Sequence, residues 1–196
     1  CWTPVEWFGH PEGWGLGELA PDGSCAVTLA GSVIGRLTLA LAGEHNRANA
    51  LAAVAAARHA GVPPVAALGA LARFGGVKRR LEVRGVAHGV TVYDDFAHHP
   101  TAIAATIAGL RQRIGSGRIL AVLEPRSNTM KLGVMKAQLP DSLQEAEQTF
   151  CYAADLGWDV RGALLPLGDK AQVFEDIDAL VAAVSAAVRE GNHVLV

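Results

Sequence analysis

The sequence lacks any G-x-x-x-x-G-K-[ST] run, so it carries no lysine-bearing loop of its own for cradling nucleotide phosphates. It also lacks any run of about 18 apolar residues, the length a membrane-spanning helix needs, and no secretory signal is visible. Its three cysteines, Cys1, Cys25 and Cys151, never come in C-x-x-C spacing, which excludes a zinc ribbon or a dithiol redox site. They read instead as reduced, small buried hydrophobes of a cytosolic protein. Charge of one sign is missing too. Lys and Arg number 17 against 19 Asp and Glu, a net charge of -2 that provides no basic field for a nucleic-acid backbone. Methionine occurs only at Met130 and Met135, too few for a cofactor box. What remains is an alanine-rich chain of 196 residues, 51% hydrophobic, which excludes disorder and suffices for one large or two small buried cores.

The pattern changes twice along the chain. Up to residue 43 it reads as β, with strands over Ser24–Leu29 and Gly35–Leu41 set between Gly and Ser turns. Helices follow over Asn46–His59 and about Val65–Phe74, the first ended by Gly61 and Pro63-Pro64 and the second by Gly75-Gly76. The segment Gly75–Arg80 combines a flexible glycine pair with a basic cluster and reads as a linker. Beyond it come strands Leu81–Val86 and Val90–Asp94, joined by a tight His88-Gly89 turn. Helix Pro100–Ile114, strand Arg118–Leu123, a helical stretch near Val134–Glu145 and strand Gln148–Ala153 come next. A strand near Gln172–Phe174, helix Ile177–Glu190 and strand His193–Val196 complete the order. Strands alternating with helices predict an open, mainly parallel α/β sheet.

Three stretches at strand-to-helix junctions carry chemistry. In Gly43–Asn49, Asn46 and Asn49 are three apart and share a helix face, and an amide pair suits the edge of a purine. An N-cap role for Asn46 and a solvated one for Asn49 account for the same spacing. In Tyr93–Pro100, two carboxylates and two imidazoles crowd the end of a strand, where α/β folds place ligands. Such a carboxylate can accept from ribose hydroxyls or hold Mg²⁺. Asp caps and Pro100 in a first helical turn explain only part of this cluster. In Leu123–Lys131, Arg126 and Lys131 flank three small polar residues, a loop able to take a carboxylate or phosphate or simply a solvated one. The remaining histidines have local readings: His10 and His88 in turns, His59 and His193 on nearby backbone. Trp2, Trp7, Trp14 and Trp158 read as core or hinge packing.

Together these stretches resemble the Mur ligase family, ATP-dependent amide-forming enzymes of bacterial cell-wall synthesis. Gly43–Asn49 matches its G-x-H-N-x-x-N, Phe74–Arg80 its F-x-G-V-x-R-R, and Asp94–Pro100 the D-D-[YF]-[AG]-H-H-P of the branch acting on UDP-N-acetylmuramate. Glu124–Lys131 is similar to the loop of the peptide-adding ligases of that branch. It lacks the P-H-R-Y-T-R typical of the L-alanine-adding ones.

The resemblance implies that residues 1–76 end a central ATPase domain, 77–80 link, and 81–196 form a carboxyl-terminal Rossmann-like domain. It implies that Asn46 and Asn49 contact adenine with His45 beside them, and that Arg80 and Asp95 hold ribose and phosphates. His98, Arg126, Ser127, Asn128 and Lys131 would face the incoming peptide. The implied reaction joins UDP-N-acetylmuramate to L-alanyl-γ-D-glutamyl-meso-diaminopimelate through an acyl phosphate, using ATP and Mg²⁺, in the bacterial cytoplasm. An L-alanine-adding ligase and a non-catalytic nucleotide- or partner-binding module are the alternatives. The missing phosphate loop, the absent initiator methionine and the apolar ending Val194-Leu195-Val196 lead to an expectation that the chain is a carboxyl-terminal piece. On that expectation it holds no catalytic residue or metal ligand, relies on amino-terminal domains, and is inactive alone.

Overall fold

The computed structural model describes residues 5–41 and 43–196. Contacts divide the chain into two compact units, one ending at Gly76 and one beginning at Val77. Cys1 and Trp2 lie outside the described residues.

The first unit opens with an antiparallel sheet of β1 (Trp14–Leu19), β2 (Cys25–Leu29) and β3 (Ser32–Leu37), paired in chain order. Ala30 and Gly31 both have positive φ, 48° and 77°. That two-residue turn matches the twist of its strands and pairs Leu29 with Ser32. The third strand therefore begins at Ser32 and ends at Leu37, a correction to the expected Gly35–Leu41. β1 was not expected, because Gly15 and Gly17 dilute its alternation. Helices α1 (Glu44–His59) and α2 (Pro64–Ala72) pack on this sheet. Ala50, Leu51 and Val54 of α1 and Ala67 and Leu68 of α2 bury against Trp14, Cys25, Val27 and Leu37. Gly35 permits the close approach of α2, since a Cβ there would lie 2.5 Å from Leu68 Cδ1. The fully buried Trp14 donates its indole N–H to Glu6 Oε2 at 2.7 Å.

The second unit runs β4 (Glu82–Ala87), β5 (Val90–Asp94), α3 (Pro100–Ile114), β6 (Ile119–Leu123), α4 (Asn128–Lys131) and α5 (Leu139–Ser142). It continues with β7 (Gln148–Tyr152), α6 (Val160–Leu164), β8 (Ala171–Phe174), α7 (Ile177–Ala187) and β9 (His193–Leu195). The six strands lie in the order β4-β5-β9-β6-β7-β8, with β4 antiparallel to β5 and every other pair parallel. This is the mainly parallel α/β sheet expected. Side chains alternate across it: Ile119 and Ala121 join Ile103, Ile107 and Leu110 of α3 in one core, while Leu120 joins Phe150, Val194 and Leu180 of α7 in the other. Helices thus cover both faces, as a parallel sheet requires.

Two helical expectations are corrected. The stretch Val134–Glu145 is no single helix but a 3₁₀ turn at Lys136–Gln138 followed by α5. Gly133, with φ 67°, turns the chain just before it, and Pro140 lacks the N–H that a continuing helix would use. α6 was missed because Gly162 interrupts its pattern, although Asp159 caps it by accepting from Gly162 N at 2.9 Å. Arg79 and Arg80, expected in a linker, are bonded into the second unit.

Candidate functional site

In the second unit the loops after β5 and β6 emerge at one edge of the sheet with the end of β9 between them, where open α/β sheets bind ligands. Direct bonds join the three. Asp95 N donates to Val196 O at 2.8 Å, Val196 N donates to Tyr93 O at 2.9 Å, and Ser127 Oγ donates to His98 O at 3.3 Å. A small cavity of about 40 Å³ opens among Asp95, Thr106, Leu123, Leu195 and Val196. The Asp95 and Ser127 stretches singled out in the sequence therefore meet in space.

Every polar side chain of the β5 loop has a structural partner. Asp95 Oδ2 accepts from Leu81 N at 2.8 Å, and its Oδ1 accepts from Ala97 N at 2.8 Å and Thr106 Oγ1 at 3.2 Å. The Asp95 side chain is only 6% exposed, and Arg80 Nη1 stands 4.0 Å from Oδ1 with its own side chain 44% exposed. Asp94 Oδ1 accepts from Arg79 Nε at 3.2 Å. With both carboxylates so engaged, the loop offers no ready pair of acids for Mg²⁺. Among the described residues, no group of three or more His, Cys, Asp or Glu could hold a metal ion.

The two histidines are bonded in opposite senses. His98 Nδ1 lies 2.8 Å from Phe96 O, which can only accept, so Nδ1 carries the proton and Nε2 the lone pair in the neutral ring. His99 Nδ1 accepts from Thr101 N at 3.3 Å and caps α3, which places the neutral ring's proton on Nε2. Local structure thus accounts for both acids and both histidines, more than the sequence reading allowed it. A loop without a ladder leaves backbone groups that nearby side chains can satisfy, as Asp95, His98 and His99 do here.

The β6 loop presents its cations openly. Arg126 is 78% exposed and only 3.8 Å from Glu124 Oε2, a loose surface pair. Asn128 and Lys131 are exposed on α4. Ser127 caps that helix, accepting from Met130 N at 3.3 Å while donating to His98 O, so its hydroxyl is anchored within the fold. Trp158, read from sequence as packing, braces this loop by donating Nε1–H to Met130 O at 2.9 Å and lying against Gly133.

In the first unit, α1 begins at Glu44 with Gly43 as its N-cap, so Asn46 is not the cap considered above. His45 and Asn46 are half-buried, and each has a partner within the fold. Asn49 is exposed one turn on.

Other titratable groups stand apart. Burial, with Arg111 and Arg113 nearby, lowers the His193 imidazole, whose Nδ1 lies 3.3 Å from Tyr93 Oη. His193 thus meets a side chain rather than the local backbone expected. Burial pushes the Cys151 thiol up to about 12 and also raises Cys25, which makes both inert packing groups.

Comparison with known proteins follows the same division. Residues 79–196 match the family described as Mur ligase, glutamate ligase domain. The whole chain is 46% identical over 199 residues to the UDP-N-acetylmuramate–L-alanyl-gamma-D-glutamyl-meso-2,6-diaminoheptandioate ligase of Escherichia coli, covering 44% of that enzyme. A UDP-N-acetylmuramate–L-alanine ligase of Kineococcus radiotolerans is 38% identical over 92% of this chain and 40% of its own. The crystal structure of a murein peptide ligase from Psychrobacter arcticus matches with a TM-score of 0.70 and 32% identity, over 93% of this chain and 40% of that one. The chain spans less than half the length of these relatives. It belongs to the Mur ligase family.

Proposed function

We propose that this chain forms the nucleotide-closing and peptide-facing part of an ATP-dependent ligase of the bacterial cytoplasm. That ligase joins UDP-N-acetylmuramate to L-alanyl-γ-D-glutamyl-meso-diaminopimelate in wall recycling. The observation that carries the reading is the Arg126–Lys131 loop, which presents two cations at the ligand-binding edge of the sheet with Arg126 held only loosely by the chain itself. A tripeptide bearing several carboxylates matches such an open, basic loop better than alanine does. The 46% identity along the whole chain to a ligase named for that peptide, against 38% for an alanine-adding one, supports the same choice.

In this reading residues 1–76 end the central ATP-binding domain, 77–80 lead into the next, and 81–196 are the carboxyl-terminal domain. Asn46 and Asn49, with His45, read the adenine edge, and Arg80 offsets phosphate charge. Asp95 serves the nucleotide by holding Arg80 and the loop, because its oxygens already accept from Leu81, Ala97 and Thr106. Arg126, Asn128 and Lys131 take the peptide carboxylates, while Ser127 ties their helix to the His98 loop.

The sugar's carboxylate accepts the γ-phosphoryl group of ATP and ADP leaves; the peptide amine then attacks the acyl phosphate and releases phosphate. His98 faces the incoming peptide, its ring oriented by the bond from Nδ1 to Phe96 O. Mg²⁺ would offset phosphate charge in such a step, held by residues outside this chain.

The test is phosphate release by the full-length gene product with ATP and UDP-N-acetylmuramate, run with tripeptide and with L-alanine in parallel. Turnover with tripeptide alone is expected. Turnover with L-alanine alone overturns the loop assignment, and silence with both favours a binding module. Arg126→Ala should raise the peptide KM roughly tenfold or more, the loss of a charge-assisted contact, and leave that for ATP within about twofold.

A further inference from the structure

Residue 82 and residue 94 face each other across the antiparallel β4–β5 pair, and both are acids, Glu82 and Asp94. Like charges directly opposite in a sheet repel, and each acid here is offset by an arginine of its own, Glu82 by Arg84 and Asp94 by Arg79. Arg79 also joins the two, one through its backbone and one through its side chain. Its backbone N–H donates to Glu82 Oε2 at 2.9 Å and its Nε to Asp94 Oδ1 at 3.2 Å. Arg84 Nη1 approaches the other Glu82 oxygen at 3.4 Å. On the far side of Arg79, Phe96 N donates to its carbonyl at 2.8 Å, and the guanidinium lies 5.1 Å from the Phe96 ring centre.

The backbone held by these bonds is unusual. Arg79 and Leu81 have φ of 58° and 48°, the left-handed region that a Cβ disfavours. Arg80 sits between them. Leu81 is held in turn by its buried side chain and by Asp95 Oδ2 on its N–H. Two strained residues around one cation persist only where their surroundings over-determine them, and strain of this kind concentrates where a side chain must be aimed.

We propose that Glu82, Arg79 and Asp94 are positioning residues, a bridge in which Glu82 holds the Arg79 backbone N–H and Asp94 its guanidinium, locking the left-handed turn and so aiming the Arg80 guanidinium at the nucleotide phosphates. The inference rests on the assignment of Arg80 to ATP made above and adds three residues that touch no substrate. Breaking the bridge leaves Arg80 chemically intact but free to point elsewhere.

The experiment uses the full-length gene product with ATP, UDP-N-acetylmuramate and tripeptide, and measures kcat and each KM. Asp94→Asn and Arg79→Ala are expected to raise the ATP KM about five- to tenfold, with kcat and the peptide KM changed less than about twofold. Arg79→Lys, which keeps a cation beside Asp94, should recover most of that loss. In an Arg80→Ala background, Asp94→Asn should add less than about twofold, because the group it aims is gone. A multiplicative effect in that background, or a fall in kcat with the ATP KM unmoved, overturns the proposal. If Arg80→Ala raises the ATP KM while Asp94→Asn and Arg79→Ala do not, this inference fails and the Arg80 assignment stands. If Arg80→Ala itself leaves the ATP KM unchanged, both fall. Should Arg79→Ala fail to fold, Glu82→Gln replaces it, since it weakens the bridge while keeping the arginine.

Discussion

The two units carry their candidate residues in different ways. In the first, His45, Asn46 and Asn49 ride on the opening turns of α1, and the helix supplies the backbone bonds that hold them. In the second, Asp95, His98, His99 and Ser127 lie on loops after β5 and β6, where the side chains themselves supply such bonds, while Asp94 closes β5 and pairs with Arg79. A helix supplies its own backbone bonds, and Asn49 stands exposed on its face. A loop-borne site spends many of its polar groups on its own shape. Asp95 and Ser127 therefore read as anchors beside Arg80 and Arg126, the more exposed groups around them.

The comparison breaks most visibly if the units are not independent. Trp14 and Phe150 are both fully buried, one in each unit. Truncating either to alanine should cost about 3–5 kcal/mol, and in calorimetry each variant should lower a different transition. A single transition shifted equally by both would remove the division on which the comparison rests.

A sharper contrast lies between anchors and presented groups. Asp95→Ala strands the N–H groups of Leu81 and Ala97 and the Thr106 hydroxyl, so it should lose roughly 2–4 kcal/mol in denaturant unfolding. Asn49→Ala, on an exposed helix face, should stay within about 0.5 kcal/mol, with its effect confined to ATP affinity in the full-length gene product. Equal losses would mean that the helix-borne site is as structurally committed as the loop-borne one.

The smallest effect concerns pH and belongs to the second unit. His193 is held below its ordinary value of 6.5 by burial and then by Arg111 and Arg113. The unfolded chain then takes up this proton before the folded one does. Stability is lost as pH falls through the unfolded value of 6.5 toward the lower folded one, and the loss is complete below both. His193→Gln should flatten the stability profile below pH 6.5, and an unchanged slope would assign the acid sensitivity elsewhere.

Much of the architecture was readable beforehand, and particular residues show why. Pro100–Ile114 appeared with its observed bounds because proline opens it, its apolar residues recur with helical period and Gly115 ends it. The turn at His88-Gly89 was equally plain, and both residues adopt the positive φ it demands. Elements shaped by partners were not readable: β1 with its two glycines, α6 held by Asp159, and the broken path from Lys131 to Ser142 under Trp158. Each depends on a neighbour distant in the chain or on a side-chain cap, neither of which periodicity reports.

Composition and residue order alone carry the class of fold, the alternation of strand and helix, and the three motif stretches that resemble the Mur ligases. The first two follow from short-range rules of period and turn chemistry, the third from resemblance to the family's motifs. Which residues in each stretch are presented and which are consumed is set by the folded arrangement. It inserted β9 between β5 and β6, brought Ser127 onto His98, and set Arg79 between Glu82 and Asp94. The physical reason is that a polar side chain's role depends on whether its donors and acceptors are already satisfied, and their partners are chosen by strand order and register.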